Sequence, residues 1–178
     1  MRKSAVYATV VILAAVLFGC AGAPVHWRAN PETLSARADG TDITLEAIKQ
    51  GNAFYSAFRL TITNGSNTAV TVDWNTSEYR YNEKPGGIFW FEGITAEAIK
   101  DKTIPVDKVP PGGSISRVIA PLQLIAITPI KQSKRQTPSF SAGRLPAGKN
   151  DVFLRLFRDA TPQTVTLSIV ISVDGTTK

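Results

Sequence analysis

Two stretches near the middle of the chain alternate strictly between apolar and polar residues. They are residues 58–63 and 70–75, in which every even-numbered residue is apolar and every odd-numbered residue is polar. A cluster of Asn, Gly and Ser at residues 64–67 separates them. Because successive side chains of a strand point to opposite faces, this period of two predicts two half-buried strands joined by a turn.

The register of these two strands restricts how they can connect. A tight hairpin with Asn64 and Gly65 at its tip would turn Val70 and Val72 to the wrong face, because a slip of one residue flips a whole strand. The loop must therefore hold an odd number of residues, or the chain must cross from one sheet to another. Crossing is typical of immunoglobulin-like sandwiches, which carry a core tryptophan on the third strand, and Trp74 fits that position.

The rest of the chain repeats this pattern in short segments separated by Gly- and Pro-rich turns. Helical periodicity is nearly missing, apart from a turn at residues 95–100 that Thr95 can cap. About eight strands with a turn every ten or so residues predict an all-β, immunoglobulin-like β-sandwich over residues 41–178. The predicted strands are residues 43–48, 52–63, 69–75, 77–81, 88–91, 115–120, 152–157 and 165–173.

The first twenty residues have the composition of an export signal. Two basic residues precede about fourteen apolar ones, which suits a signal peptide but falls short of the ~20 residues of a membrane span. The segment ends in Leu17-Phe18-Gly19-Cys20, which resembles the lipobox of bacterial lipoproteins. That resemblance implies a signal peptide of residues 1–19 and an acylated Cys20 as the first mature residue. Ala21, in place of an aspartate, implies sorting to the outer membrane.

Residues 20–40 are predicted to form the lipidated cysteine and a tether. They are rich in Ala, Pro, Asn and Ser, with at most a short helical turn at residues 32–36. Fully extended at ~3.3 Å per residue, such a tether would hold the domain up to ~60 Å from the membrane. Trp27 lies beside the only histidine, His26. It could rest at the headgroup level of the bilayer or be a tether residue without that role.

The central block, residues 58–121, carries a series of short motifs. They are ITN at 62–64, DWN at 73–75, Ser77, Tyr79, the glycine pair 86–87 and FWFEGI at 89–94. In this order they resemble a group of bacterial envelope lipoproteins. That resemblance implies an envelope location and a β-rich fold, and it brings no established activity with it.

The chain is poorly supplied with catalytic side chains. Its single histidine precedes the predicted domain and its single cysteine is the predicted anchor, so nucleophilic triads and His/Cys metal sites both lack their parts. Paired carboxylates are the one enzymatic alternative, because glycoside hydrolysis needs only two. Glu78, Glu83 and Glu92 would be the candidates. We therefore expect no catalytic residue, no metal site and no cofactor.

The segment at residues 86–93 is apolar on both faces of its predicted strand. Ile88 and Trp90 would lie on one face, and Phe89 and Phe91 on the other. Such a strand is either buried between two layers or has one face available to a partner. Burial is one interpretation, and a groove for a ligand or protein is the other. The residues of that candidate binding surface are Tyr79, Tyr81, Phe89, Phe91 and Glu92.

A polar loop is predicted at residues 131–149, and it is basic without one acidic residue. It could be a solvated loop, or it could lie on an anionic surface at ~1 kcal/mol per basic residue near charged lipid. The candidate residues are Lys131, Lys134, Arg135, Arg144 and Lys149.

These features together predict a membrane-anchored envelope lipoprotein with a non-catalytic binding or assembly role. The alternatives are an accessory lipoprotein of a secretion or surface complex, and a carboxylate-dependent cell-wall or glycan hydrolase. The expected partners are the membrane, through the lipidated Cys20, and an envelope protein or an anionic cell-surface polymer. Loss of the two basic signal residues lowers the formal net charge from +6 to +4, and nucleic acid is not an expected partner of an exported protein.

Overall fold

The computed structural model describes residues 25–128 and 139–174, and these residues form packed antiparallel β-sheets. The described chain is nearly all β, with one short α-helix, α1 (Ala96–Lys100), and a 3₁₀ turn at Leu122–Leu124. The strands are β1 (His26–Asn30), β2 (Thr33–Ala38), β3 (Thr41–Gln50), β4 (Phe54–Asn64), β5 (Val70–Val72), β6 (Glu78–Tyr81), β7 (Lys84–Pro85), β8 (Phe89–Trp90), β9 (Asp107–Val109), β10 (Ser114–Pro121), β11 (Ile125–Thr128), β12 (Ser139–Ala142), β13 (Gly148–Arg158) and β14 (Thr161–Asp174).

The strand order is that of an immunoglobulin-like sandwich. The first sheet has the order β1-β14-β13-β5-β9, with β6 also beside β13 and β7 beside β6. The second sheet has the order β2-β3-β4-β10-β8. In immunoglobulin terms, β3-β4-β10-β8 are strands A, B, E and D, while β14-β13-β5 are strands G, F and C. The predicted fold class is confirmed, with β1, β2 and the β11–β12 hairpin as additions.

The connection between β4 and β5 crosses from the second sheet to the first. β4 ends at Asn64, and β5 begins at Val70 in the other sheet. Of the two arrangements that the register allowed, the structure therefore shows the crossing. The amide group of the Asn64 side chain holds this connection by donating to the carbonyl of Thr68 at 2.7 Å and to that of Val109 at 3.0 Å.

The core lies between the two sheets and contains the apolar positions that the alternation identified. Leu60 on β4, Val72 on β5 and Ile169 on β14 are all buried. Burying a side chain of this size stabilises a fold by ~1.5–3 kcal/mol relative to its exposure. Trp74 is buried in the turn after β5 and packs against Phe91, with 4.7 Å between the ring centroids. A chain with a single cysteine cannot join its sheets by an internal disulfide, so this packing has to hold them together.

Residues 26–38 belong to the folded domain, so the predicted tether is too long. β1 pairs with β14, and β2 pairs with β3. The helical turn predicted at residues 32–36 is wrong, because β2 alternates between exposed and half-buried residues as an edge strand does. Helix propensity is a weak preference, and pairing along an open sheet edge outweighs it here.

Other segments differ from prediction in their extent. The strand predicted at residues 88–91 is reduced to β8, and the polar loop predicted at residues 131–149 includes β12 and the start of β13. The helical turn at residues 95–100 is confirmed as α1, whose Ala98 N–H donates to the Thr95 hydroxyl at 3.1 Å.

Candidate functional site

The aromatic members of the predicted binding surface lie mostly in the core. Tyr79 and Phe89 are only 0% and 1% exposed, so they cannot line a groove for a ligand, whereas Phe91, at 5% exposed, is reachable only at the wall of a small pocket. The structure thus shows burial, the other interpretation of the apolar segment. Tyr81 is half-buried, and its hydroxyl donates to the carbonyl of Ala147 at 2.7 Å.

Tyr79 is buried because β5 and β6 act as one interrupted strand along β13. In the interruption, the N–H of Asp73 donates to the carbonyl of Arg155, and the N–H of Arg155 donates to the Ser77 hydroxyl, both at 3.0 Å. The ladder then resumes at β6, with Tyr79 on the inner face. Its hydroxyl donates to the Asn150 side-chain carbonyl at 2.5 Å. Burial, with the nearby Tyr81 and Asp151 charges, raises the pKa of Tyr79 well above its usual range.

Glu92, the one charged member of the predicted surface, lines a pocket of about 240 Å³ at the side of the sandwich. The pocket forms because the chain leaves β10 after Trp90. Gly93 has a φ of 96°, a conformation that favours glycine, and the chain turns away there. The residues that line this edge pocket are Phe91, Glu92, Ser116, Arg117 and Val118.

The inner wall of the edge pocket is an ion pair that joins the two sheets. Arg117 on β10 donates from Nε to Asp107 Oδ2 at 2.9 Å and from Nη2 to Oδ1 at 2.7 Å. Asp107 lies on β9 of the first sheet, whereas β10 belongs to the second. Trp74 Nε1 also donates to Asp107 Oδ2 at 3.0 Å. The guanidinium lies 5.2 Å from the centroid of the Phe91 ring, within the range of a cation–π contact.

This inter-sheet pair of Asp107 and Arg117 is held in its ionised form. The hydrogen bonds from Arg117 lower the pKa of Asp107, with a smaller contribution from Trp74, although partial burial acts in the opposite direction. The same hydrogen bonds raise the pKa of Arg117. A fork-to-fork pair of this kind is among the stronger hydrogen-bonded contacts in proteins. Asp107 is therefore a poor general acid, and its role here is to fix the guanidinium.

Two of the five basic residues of the predicted loop, Arg144 and Lys149, lie in the described part of the chain. Lys131, Lys134 and Arg135 lie outside the described residues. Arg144 is exposed, and its guanidinium lies 5.2 Å from the ring centroid of Trp27, which is partly buried against the core. Lys149 lies on β13 and is paired with Glu83 at 3.3 Å and with Asp151 at 3.7 Å. These two residues are therefore engaged within the fold.

The three candidate carboxylates of a hydrolase are not brought together at the pocket. Glu78 is paired with Arg80 on β6, and Glu83 is paired with Lys149. Only Glu92 lines the edge pocket. Within residues 25–128 and 139–174, no group of three His, Cys, Asp or Glu side chains could hold a metal ion.

Sequence reasoning missed the inter-sheet pair, although one signal pointed to it. On β10, Ile115 and Ile119 are the apolar positions of the alternation, and Arg117 falls between them on the same face. A charged residue at an inward position needs a partner, because an isolated buried charge is costly. The sequence alone could not name Asp107 as that partner, since it lies on a different sheet.

The fold and the edge pocket define the chain as an immunoglobulin-like β-sandwich with an open strand edge and a charged pocket beside it. The chain matches no protein-family model, no curated protein and no solved structure. No helix of the described residues is long and apolar enough to cross a membrane. Residues 1–19 and Cys20, which carry the lipoprotein resemblance, lie outside the described residues.

Proposed function

We propose that this chain is an envelope lipoprotein, anchored through an acylated Cys20 on the periplasmic side of the outer membrane, with a non-catalytic binding or assembly role. The lipobox resemblance of residues 17–20 supports the anchor. Ala21 supports the outer membrane as the destination.

The observation that carries the proposal is the position of the first strand. β1 begins at His26, so only five residues separate it from Cys20. The six Cα–Cα steps of that link span at most ~20 Å when fully extended. A domain that begins so soon after the lipidated residue is held close to the bilayer, where it can act on envelope partners at a short and defined distance.

A binding role agrees with the chemistry of the edge pocket. Among the described residues that line the pocket, Arg117 carries the only guanidinium, which Asp107 holds, and Glu92 is the only other ionisable group. A single free carboxylate lacks the second carboxyl group that glycoside hydrolysis requires. The pocket thus has an apolar wall and one negative charge, which are features of a binding site and not of a hydrolase active site.

The anchor is tested by comparing wild type with Cys20→Ser in membrane fractionation and mass spectrometry of the mature N-terminus. We expect the wild-type chain to carry acyl groups on Cys20 and to sediment with the outer membrane, and Cys20→Ser to lose both properties. Ala21→Asp is the matched variant, because the lipobox resemblance predicts that it keeps acylation but changes the membrane. A Cys20→Ser chain that stayed membrane-bound would refute the anchor.

A further inference from the structure

The described strands cover the outer edge of β10 along only part of its length. β8 pairs with β10 at just two residues, Ala120 and Pro121. Along residues 114–119, β10 pairs with β4 alone among the described strands. An uncovered strand edge presents N–H and C=O groups with which another chain can pair.

The ladder fixes which backbone groups face this edge. Leu122 donates its N–H to the carbonyl of Ile88 at 3.0 Å, so residue 122 faces the β8 side. Backbone groups of an antiparallel strand alternate between its two sides, which places residues 120, 118 and 116 on the β8 side as well. Trp90 of β8 pairs with residue 120, but the segment that follows β8 turns away from β10 before it could pair with residue 118. Ser116 and Val118 therefore direct their backbone groups to the open edge.

The edge pocket beside these groups suits one amino-acid side chain. Its volume of about 240 Å³ is below the ~300–1,000 Å³ typical of small-molecule sites. Phe91 gives it an apolar wall, and Val118 at its rim is 50% exposed. Arg117 is neutralised by Asp107, whereas Glu92 is exposed and has no ion-pair partner within the described ranges. The pocket therefore carries a net negative charge.

We propose that the open edge of β10 binds one extended segment of another polypeptide, which adds as a strand beside β10 and places a lysine or arginine at Glu92. Hydrogen bonds to the backbone of Ser116 and Val118 supply affinity, and the pocket selects the side chain. This inference names the partner of the binding role proposed above and rests on it. A second copy of the chain is a poorer occupant, because the only cation on its β10 is Arg117, which Asp107 already holds.

The probes are three labelled seven-residue peptides in which valine alternates with lysine, glutamine or glutamate. Each is titrated against the full chain and followed by fluorescence anisotropy. We expect saturable binding, with the lysine peptide at least about threefold tighter than the glutamate peptide, since exposed ion pairs contribute modestly. Glu92→Lys should reverse that order, and Glu92→Gln should remove most of the difference.

Val118→Pro tests the edge itself, because it removes an N–H that faces the open edge and leaves the ladder with β4 intact. Proline is tolerated at such edge positions. We expect it to weaken binding at least about tenfold, through the lost hydrogen bond and the block to a neighbouring strand. Val118→Thr is the matched control, because it keeps the N–H and a branched side chain, and it should bind within about twofold of wild type.

Four results would overturn the inference. The first three are the absence of saturable binding by all three peptides, equal binding by the Val118→Pro and Val118→Thr variants, and an unchanged peptide preference in Glu92→Lys. A concentration-dependent dimer in sedimentation that Val118→Pro abolishes would assign the edge to a second copy and overturn it too. None of these measurements depends on acylation, so this inference and the Cys20 anchor can fail separately.

Discussion

Replacing Asp107 should weaken the contact between the two sheets, because this carboxylate on β9 accepts hydrogen bonds from Arg117 on β10 and from the core residue Trp74. The Asp107→Ala variant loses two bonds from Arg117, at 2.9 and 2.7 Å, and one from Trp74 Nε1, at 3.0 Å. It also leaves the indole N–H of a buried tryptophan without its acceptor, which carries a desolvation cost of its own.

The expected cost lies between those of an exposed and a buried pair. The Asp107 side chain is 16% exposed and that of Arg117 is 40% exposed. Exposed pairs contribute ~0–1 kcal/mol, whereas breaking a buried pair costs ~3–5 kcal/mol. We expect Asp107→Ala to lower the free energy of unfolding by ~2 kcal/mol, and Asp107→Asn, which keeps an acceptor for Trp74, by ~1 kcal/mol. At ~2–4 °C per kcal/mol for a domain of roughly this size, the Ala variant should melt ~4–8 °C below wild type.

A double-mutant cycle separates the ion pair from the loss of packing. Urea unfolding is measured for wild type, Asp107→Ala, Arg117→Met and the double variant, and the cycle gives the coupling energy between the two side chains. We expect a coupling of ~1 kcal/mol in favour of the pair. The reasoning fails if the coupling is near zero, or if Asp107→Ala unfolds within ~0.5 kcal/mol of wild type, the range of ordinary surface substitutions.

Two further predictions concern charge and burial. The pKa of Asp107 is lowered in the folded state. Its pair with Arg117 should therefore contribute fully to the free energy of unfolding above the ordinary aspartate pKa of ~3.9, and this contribution should be lost as the pH falls from there through the lowered pKa. In urea unfolding across pH, the difference in free energy of unfolding between wild type and Asp107→Asn should stay constant above about pH 5 and decrease in acid. A difference that is unchanged in acid would contradict this. Tyr79→Phe should cost ~1–3 kcal/mol in the same assay, because it leaves the buried Asn150 carbonyl without its donor, whereas Tyr81→Phe, whose bond is exposed, should cost less.

Much of the fold could be predicted because the period of two survives in the strands that face the core. The alternation of residues 165–173 falls within β14, and the register of Val70 and Val72 already required an unusual connection to β4. The first two strands were missed because β1 and β2 lie at sheet edges, where few side chains are buried and the pattern is weak. Their pairing depends on β14 and β3, which is tertiary information.

The candidate site was harder to predict, for a related reason. An apolar strand such as residues 88–91 looks the same whether a second layer covers it or a partner does, so alternation alone could not decide between core and groove. Burial of Phe89 and Phe91 is decided by the opposite sheet. Glu92 was identified because it ends the aromatic run. Arg117 and Val118 became visible only when β10 was placed beside the turn at Gly93.

The ion pair of Asp107 and Arg117 contributes both to the edge pocket and to the stability of the fold. Variants that test binding must therefore leave this pair in place. Antibody domains join their sheets with a disulfide beneath the core tryptophan. In this chain the core tryptophan, Trp74, instead donates to Asp107, whose pair with Arg117 bridges β9 and β10. That pair also forms the wall of the pocket, so substitutions there would change binding and folding together. Glu92 and Val118 contact the pocket from its exposed rim, outside the inter-sheet pair. Variants of these two residues can therefore report on binding while the inter-sheet pair stays intact.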